Sequence, residues 1–407
     1  MNLVFFRYNP RVIDLDFIAD SNVIIIAPES QSAKYEDYNL NVPVVFISDY
    51  TLAGSVRMIR EKFINQKIQS ISTLAEDDMD WVGLLSDFFT GNFSASLHGK
   101  LFKDKYVMRS FLQGIVEQPV FSGVFSEKDI DNFWTIFDGN KALIKPRNSA
   151  GAHGIKTIFR DEKISESYFT GDFLIEGFVQ QEKMMTGDGY AINGKIQRYF
   201  SHNYETMILE SLSCGDKEAV TRTNVLYGSK KGQLKIIQAR SLSEKILKNF
   251  GVKGVTPFHF EWFYDDKSDI LTFCEVALRF GGADIPRLIE DAFKVDLLSE
   301  YWSNQFTTRK TINTEIQSEL QLPTVISSCY MPYRGNGKLV ETPSQEEFSW
   351  TESTLIFVKP GDVLKEPNSV VENLFLTRFL SDNEENYYEN LKRLRGLAER
   401  FRYEQTE

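Results

Sequence analysis

The sequence predicts a fold of class α/β and α+β, in which several units pack together. Two observations support this prediction: strands alternate with helices over residues 1–100, and from Lys141 onward short strands are separated by glycine-containing turns. Alternating strands and helices favour a parallel sheet, whereas strands joined by tight turns favour antiparallel hairpins. A chain of 407 residues is also too long for a single hydrophobic core.

Hydrophobic periodicity locates the elements of the first part of the chain. A run of apolar residues at the N-terminus, Leu3–Phe6, fits a buried first strand better than a dimer interface, which is the alternative. The other predicted elements, in chain order, are the strands Val23–Ala27 and Val42–Ser48 and the helices Ser55–Phe63, Asp78–Phe89 and Lys105–Val116.

Beyond Lys141, most predicted strands are short and are bounded by turn residues. The segment Asp265–Asp269 has the composition of a hairpin turn between two β-rich runs. The predicted elements are the strands Ala142–Lys145, Phe173–Ile175, Gly189–Ile192, Lys195–Phe200, Phe258–Tyr264, Ile270–Val276, Thr324–Met331 and Thr354–Val358 and the helices Ser241–Phe250, Ile285–Phe293 and Glu389–Arg402.

Composition excludes several classes of protein. A net charge of −11 argues against a general nucleic-acid binder, which needs a basic surface to replace counterions. The three cysteines, Cys214, Cys274 and Cys329, form no CxxC pair and no disulfide framework. No apolar run approaches the roughly 20 residues of a membrane span, and the N-terminus lacks the pattern of a signal peptide. We therefore expect a cytoplasmic protein without nucleic-acid or membrane partners.

The first segment with chemical content is Leu143–Ile155. A buried strand leads to Lys145, and a loop of small residues, Asn148–Gly154, follows directly. Such a loop lets backbone N–H groups approach phosphate oxygens, and the lysine adds a positive charge. The segment matches neither the Walker A pattern nor GxGxxG. The alternative is a surface hairpin that happens to contain a lysine.

A second segment, Phe173–Val179, is a strand that runs into a hinge. Glu176 and the nearby backbone have the groups that an adenine amino group needs, and Glu182 follows at a distance suited to ribose hydroxyls. The alternative interpretation is that Glu176 is a solvated residue at the end of a strand.

The third segment contains two carboxylates on neighbouring strands. Glu261 and Glu275 flank the predicted hairpin turn, so that both side chains project from one face. Carboxylates among apolar residues need a compensating cation, and Mg²⁺ prefers such oxygen ligands. Arg279 alternates to the same face if the strand continues, where it can stabilise a transferring phosphoryl group. The alternative is a set of cross-strand salt bridges.

In this order, over residues 70–300, the segments resemble the ATP-grasp superfamily, in particular its carboxylate–amine ligases, which act on amino acids and peptides. Asp104–Arg109 matches the family's first lysine motif. The resemblance implies phosphate contacts at Lys105, Lys145, Ser149, Gly151, His153 and Gly154, adenine and ribose contacts at Glu176, Phe178, Val179 and Glu182, metal ligands at Glu261 and Glu275, and a catalytic role for Arg279.

The resemblance also implies a domain architecture. It implies an N-terminal parallel α/β domain at 1–100, an ATP-grasp domain at 101–310 and a β-rich segment with a final helix at 311–407. Within the second domain it implies a small, mobile antiparallel clamp, residues 128–185, and a central mixed sheet. One position departs from the family pattern, because Ala277 stands where many members have a metal-binding asparagine. The number of metal ions, one or two, stays open.

The implied reaction is ATP-dependent formation of an amide or peptide bond through an acyl phosphate. This reaction would use ATP with Mg²⁺ or Mn²⁺, a small carboxylate, and an amine acceptor that is free or carrier-bound. The resemblance also allows a homodimer. Two rivals stay open: a purine-pathway or carboxylase-type ATP-grasp enzyme, and a non-catalytic nucleotide-binding protein. Arg222 and Arg287 are weaker candidates for binding a substrate carboxylate, and His259 for lining the site.

Overall fold

The computed structural model describes residues 1–13, 22–36, 38, 40–91, 93–213, 217–306, 317 and 319–404. Cys214 and the expected boundary at residues 310 and 311 lie outside this set. Within the described residues, the framework consists of a parallel sheet near the N-terminus and three antiparallel sheets.

The N-terminal sheet is parallel, as the alternation of strands and helices predicts. Its elements are the strands β1 (Asn2–Phe5), β2 (Val23–Pro28), β3 (Val44–Ile47) and β4 (Ser70–Thr73) and the helices α1 (Ser32–Glu36), α2 (Leu52–Phe63), α3 (Met79–Thr90) and α4 (Ala95–Lys103). The strand order is β3-β2-β1-β4, with all neighbours parallel. The side chains of Leu3–Phe6 are fully buried, which agrees with a buried first strand.

A small antiparallel sheet of order β5-β8-β6-β7 follows. Its elements are α5 (Lys105–Leu112), β5 (Phe121–Val124), α6 (Glu127–Ile136), β6 (Lys141–Pro146), β7 (Lys156–Phe159) and β8 (Phe173–Gly177). Ile130, Phe133 and Trp134 of α6 pack on one face of this sheet and form a core of its own. The sheet lies within residues 128–185, except for β5.

The rest of the chain builds a nine-stranded sheet and a three-stranded sheet. Their strands are β9 (Lys183–Ile192), β10 (Lys195–Phe200), β11 (His202–Tyr204), β12 (Glu218–Thr223), β13 (Val255–Tyr264), β14 (Thr272–Ala277), β15 (Ile326–Pro332), β16 (Gly337–Glu341), β17 (Ser353–Ile356), β18 (Val363–Leu364), β19 (Phe375–Ser381) and β20 (Arg402–Glu404). The helices are α7 (Ile208–Ser213), α8 (Lys230–Asn249), α9 (Ile285–Phe293), α10 (Leu297–Phe306) and α11 (Glu384–Ala398).

The large sheet runs β14-β13-β9-β11-β12-β15-β19-β17, with β10 paired to β9. All of these described pairings are antiparallel, whereas a mixed sheet was expected. The largest apolar core joins this sheet to α8, α9 and α10 and to the inner face of the N-terminal sheet. This shared core brings the carboxylate strands β13 and β14 close to the N-terminal sheet.

Several predicted helix bounds were wrong, and the two largest errors at helix starts arise because a capping residue decides where a helix begins. α8 begins at Lys230, well before Ser241, since the Ser229 side chain accepts a hydrogen bond from the Gly232 N–H. Asn383 caps α11 in the same way, and Arg402 belongs to a strand instead of the final helix. Among the described residues, no helix combines the length and apolar character that crossing a bilayer requires.

Candidate active site

Most of the predicted site residues line one cleft with a volume of about 1440 Å³. These are Lys105, Lys145, Ser149, Gly151, His153, Glu176, Phe178, Val179, Glu261, Glu275 and Arg279. Gly154 belongs to the same loop but does not line the cleft. The Glu182 side chain is exposed and lies 4.0 Å from the Lys267 ammonium, so the structure does not bring it to the others.

Lys105 reaches the cleft from the first turn of α5. Asp104 caps this helix by accepting hydrogen bonds from the N–H groups of Tyr106 and Val107. The Lys105 Nζ donates to the Ser149 carbonyl at 2.6 Å and lies 3.1 Å from Glu275 Oε2. A single ammonium group therefore links the small-residue loop to one of the two predicted metal ligands.

A salt bridge fixes the loop relative to α5. The Arg147 guanidinium donates to both carboxylate oxygens of Asp104, at 3.0 and 2.6 Å. Burial would raise the pKa of Asp104, but this guanidinium and the helix N–H groups lower it. Gly151, Ala152 and Gly154 have positive φ angles of 62°, 59° and 74°, so the loop adopts a conformation that favours small residues.

Lys145 and Glu176 form a buried pair on adjacent strands. Lys145 Nζ lies 2.5 Å from Glu176 Oε1, and Arg109 Nη2 lies 2.6 Å from Glu176 Oε2. Burial would raise the pKa of Glu176, but the two cations lower it; the pKa of Lys145 is raised by Glu176 against the effect of burial. The Glu176 carboxylate thus balances two positive charges.

Glu261 and Glu275 lie directly opposite each other on β13 and β14, as the hairpin prediction requires. The Tyr204 hydroxyl donates to Glu261 Oε1 at 2.7 Å. Within the described part of the chain, no group of three or more His, Cys, Asp or Glu side chains is arranged to hold a metal ion. Two carboxylates suit Mg²⁺, which usually completes its coordination with water and substrate phosphates.

His259 lies beside this pair and is held by a buried carboxylate. Its Nδ1 is 2.8 Å from Asp188 Oδ1, and its Nε2 is 3.5 Å from Glu261 Oε1. Burial would lower the pKa of His259, but Asp188 and Glu261 raise it to about 10. The Gly281 N–H also donates to Asp188, at 3.0 Å, and a Cβ at Gly281 would lie 2.6 Å from this oxygen. A side chain at 281 would therefore break this contact.

Arg279 faces the cleft, although β14 ends at Ala277, so strand alternation does not place it there. Its Nε and Nη2 donate to Glu76 Oε2 at 2.7 and 2.6 Å, and its Nη1 donates to the Phe280 carbonyl at 2.8 Å. Burial would lower the pKa of Arg279, but Glu76 raises it. The N-terminal part of the chain thus orients the predicted catalytic arginine.

The two weaker arginine candidates have structural partners. Arg222 is 1% exposed, does not line the cleft and pairs with Glu384 at 2.6 Å and Glu205 at 3.2 Å. Arg287 lines the cleft and pairs with Glu290 at 2.6 Å. The structural interpretation fits Arg222 better than substrate binding does.

Glu76 should make stability depend on pH in the acid range. Burial would raise its pKa, but Arg279, Lys103 and Lys105 lower it from 4.5 to about 2. A carboxylate with a lowered folded-state pKa stabilises the fold above its unfolded-state pKa, and this stability, about 3 kcal/mol, is lost as the pH falls toward 2. Urea unfolding should show Glu76→Gln less stable than the wild type at about pH 6, with a smaller difference at about pH 3. A constant difference would contradict this.

Sequence reasoning did not assign four residues that hold the site together: Arg109, Glu76, Tyr204 and Asp188. Asp188 had a signal, since it is a carboxylate in the middle of a strand, β9, whose central residues are buried, and a buried carboxylate needs a partner. Glu76 and Tyr204 had none, because their partners lie 203 and 57 residues away.

No protein-family model and no curated protein sequence matches this chain. Solved structures do. The L-amino acid ligase from Bacillus licheniformis superposes with a TM-score of 0.75 and 14% identity, over 99% of both chains. For N5-carboxyaminoimidazole ribonucleotide synthetase from Thermus thermophilus the values are 0.67 and 13%, over 98% of both chains.

A third similar structure is the biotin carboxylase domain of the 2-oxoglutarate carboxylase from Hydrogenobacter thermophilus, a dimer in complex with MgADP, ADP and bicarbonate. Its TM-score is 0.66 at 13% identity, over 99% of this chain and 90% of that one. Identities this low show similarity of fold, and the coverage extends that similarity to nearly the whole chain. The protein described here therefore has the ATP-grasp fold.

Proposed function

We propose that the protein is an ATP-dependent carboxylate–amine ligase, which forms an amide or peptide bond and releases ADP and phosphate. One observation carries the proposal: in a chain with the ATP-grasp fold, a single cleft is lined by Lys105, Lys145, the opposed Glu261 and Glu275, and Arg279. The arrangement provides positive charge for phosphate oxygens, carboxylates for a metal ion and a guanidinium for the reacting group.

The residues present fit ATP and a divalent metal. Glu261 and Glu275 would hold Mg²⁺, or Mn²⁺, through carboxylate oxygens, and the metal would neutralise charge on the phosphates. Lys105 and Lys145 would add positive charge there, and the loop 148–154 would cover the phosphates. The side chains of His153 and Glu182 are exposed. In this proposal both residues are predicted contacts of the nucleotide.

The chemistry follows in two displacements. A carboxylate oxygen of the first substrate attacks the γ-phosphorus, and the bond to the bridging oxygen breaks, so that its electron pair leaves with ADP. The amine nitrogen then attacks the acyl carbon of the acyl phosphate; phosphate leaves, and the amine proton passes to solvent. Arg279, oriented by Glu76, would stabilise the oxyanion charge in both steps. Exclusion of water from the cleft would protect the intermediate from hydrolysis.

The first similar structure named above is an L-amino acid ligase, which supports amino acids as the substrate class. The substrates would then be a small carboxylate and an amine, the latter free or carrier-bound. A cytoplasmic location, a homodimer and the division into domains at 1–100, 101–310 and 311–407 belong to the same proposal. The other two reactions, of the purine or carboxylase type, are alternatives that a direct assay separates.

The test is ADP release from MgATP with the common amino acids, singly and in pairs. We expect release that requires two amino acids, together with a product whose mass equals their sum minus water. Release stimulated only by bicarbonate or by a purine intermediate would indicate the carboxylase or purine alternative. Binding of MgATP without release under any of these conditions would favour a non-catalytic protein.

A further inference from the structure

A row of apolar side chains extends the cleft beyond the proposed nucleotide contacts. Ala219 on β12 lies opposite Met331 on β15, and Leu376 on β19 lies opposite Leu355 on β17. Tyr330 on β15 lies opposite Thr377 on β19, so that the next pair in the same register is Met331 and Leu376. Neighbours across antiparallel strands share one face, and all four residues line the cleft. We call these four residues the apolar shelf.

One end of the apolar shelf adjoins the metal carboxylates. Tyr204, which donates to Glu261, is paired with Thr221 across β11 and β12. Thr221 lies two residues from Ala219 and therefore on the same face of β12. Both line the cleft. The shelf thus begins one strand away from the tyrosine that contacts Glu261.

The other end approaches the small-residue loop. The Gly151 carbonyl accepts hydrogen bonds from the Ser369 hydroxyl at 3.0 Å and from the Val370 N–H at 3.3 Å. Val370 and Val371 line the cleft, and their chain continues into β19, which carries Leu376. The shelf therefore lies between the two parts of the site that would bind metal and phosphate.

Charged groups close to the shelf are already paired. Arg378, two residues from Leu376, forms a salt bridge with Asp291 and lies 3.6 Å from Asp284. Asp284 in turn pairs with Arg11 at 3.0 Å. A charged substrate side chain placed on the shelf would have to compete with these pairs and would lose its hydration without compensation.

We infer that one of the two substrates carries a large apolar side chain, branched aliphatic or aromatic, which packs on the apolar shelf. This inference rests on the proposed ligase activity. The cleft, at about 1440 Å³, is larger than the roughly 300–1,000 Å³ of a site for one small ligand, so a second ligand has room. Each missing methylene of a side chain in such a pocket lowers kcat/KM by about 10- to 200-fold.

The experiment measures kcat/KM for ADP release with L-leucine, L-phenylalanine, L-serine, L-aspartate and L-lysine. Each is varied first as the carboxylate and then as the amine partner, which identifies the substrate that uses the shelf. We expect leucine or phenylalanine to exceed serine by about 10-fold or more in one of the two roles. A preference for serine, aspartate or lysine in both roles would overturn the inference and leave the ligase proposal intact.

Shelf variants test the location of the pocket. Leu355→Ser, at an exposed residue, and Leu376→Ser should reduce the leucine-to-serine ratio about 10-fold, with the affinity for MgATP unchanged. Leu234→Ser on the exposed face of α8 is the matched control and should leave the ratio as it is. An unchanged ratio in folded shelf variants would exclude the shelf.

A protein that releases no ADP with any pair would contradict the proposed function, and binding would then test the shelf separately. Calorimetry in the presence of Mg²⁺ and a non-hydrolysable ATP analogue should still show leucine binding more tightly than serine, and the difference should be lost in Leu376→Ser. Equal binding of both amino acids would overturn the inference.

Discussion

Glu275→Gln is expected to lower ADP release by about 100-fold or more, because it removes a negative charge from the proposed metal site. The glutamine side chain would still lie beside the Lys105 ammonium, which is 3.1 Å from the Glu275 carboxylate in the wild type. Mn²⁺ binding in the presence of ADP, followed by electron paramagnetic resonance, should weaken in parallel. The number of Mn²⁺ ions bound by the wild type would also decide between one and two metals.

Glu389→Gln provides the matched control, since this glutamate is exposed on α11. It should retain wild-type activity and Mn²⁺ binding. If Glu275→Gln kept full activity and full Mn²⁺ affinity, Glu275 would have no role as a ligand. Loss of activity with unchanged Mn²⁺ binding would give Glu275 a role in the reaction other than metal binding.

Arg279→Ala is expected to reduce kcat by about 100- to 1,000-fold, with little change in the affinity for ATP. The reason is that the guanidinium would act on charge that develops during the reaction instead of on the bound nucleotide. Single-turnover measurements of ADP formation, combined with ATP binding by fluorescence titration, separate these two effects.

The stability of the Arg279 variant needs its own control, because the substitution leaves Glu76 without its closest cation. Arg279→Lys keeps a positive charge near Glu76 and should fold like the wild type. Its kcat should remain low, since an ammonium cannot reproduce the two parallel N–H contacts of a guanidinium. Arg57→Ala, at an exposed salt bridge, should have no effect on catalysis. Full activity in both Arg279 variants would exclude the proposed catalytic role.

Local patterns predicted the framework of the site. Two β-rich runs around a turn were sufficient to place Glu261 opposite Glu275, because neighbouring antiparallel strands fix which side chains face each other. Lys145 followed from a buried strand that leads into a loop of small residues. The alternative interpretation, cross-strand salt bridges around Glu261 and Glu275, was wrong for Arg279, because its guanidinium pairs with Glu76.

Contacts between distant segments were beyond such reasoning. The sequence predicts that the Glu176 carboxylate faces adenine, yet it lies between Lys145 and Arg109. Lys145 reaches it from the neighbouring strand β6, and Arg109 reaches it from α5. The sequence predicts Glu182 near ribose, yet its exposed side chain directly precedes β9 and lies 4.0 Å from the Lys267 ammonium. Its role in nucleotide binding stays a prediction.

The amino-acid sequence was sufficient to predict the hairpin that opposes two glutamates, the loop after Lys145 and the family resemblance that these features carry in order. Tertiary packing selects the charge pairs Glu76–Arg279 and Asp188–His259, and it also places the apolar shelf in the cleft. These contacts join residues that are far apart along the chain. Turns and periodicity act over a few residues, whereas the partner of a buried charge is selected when whole sheets pack around a common core.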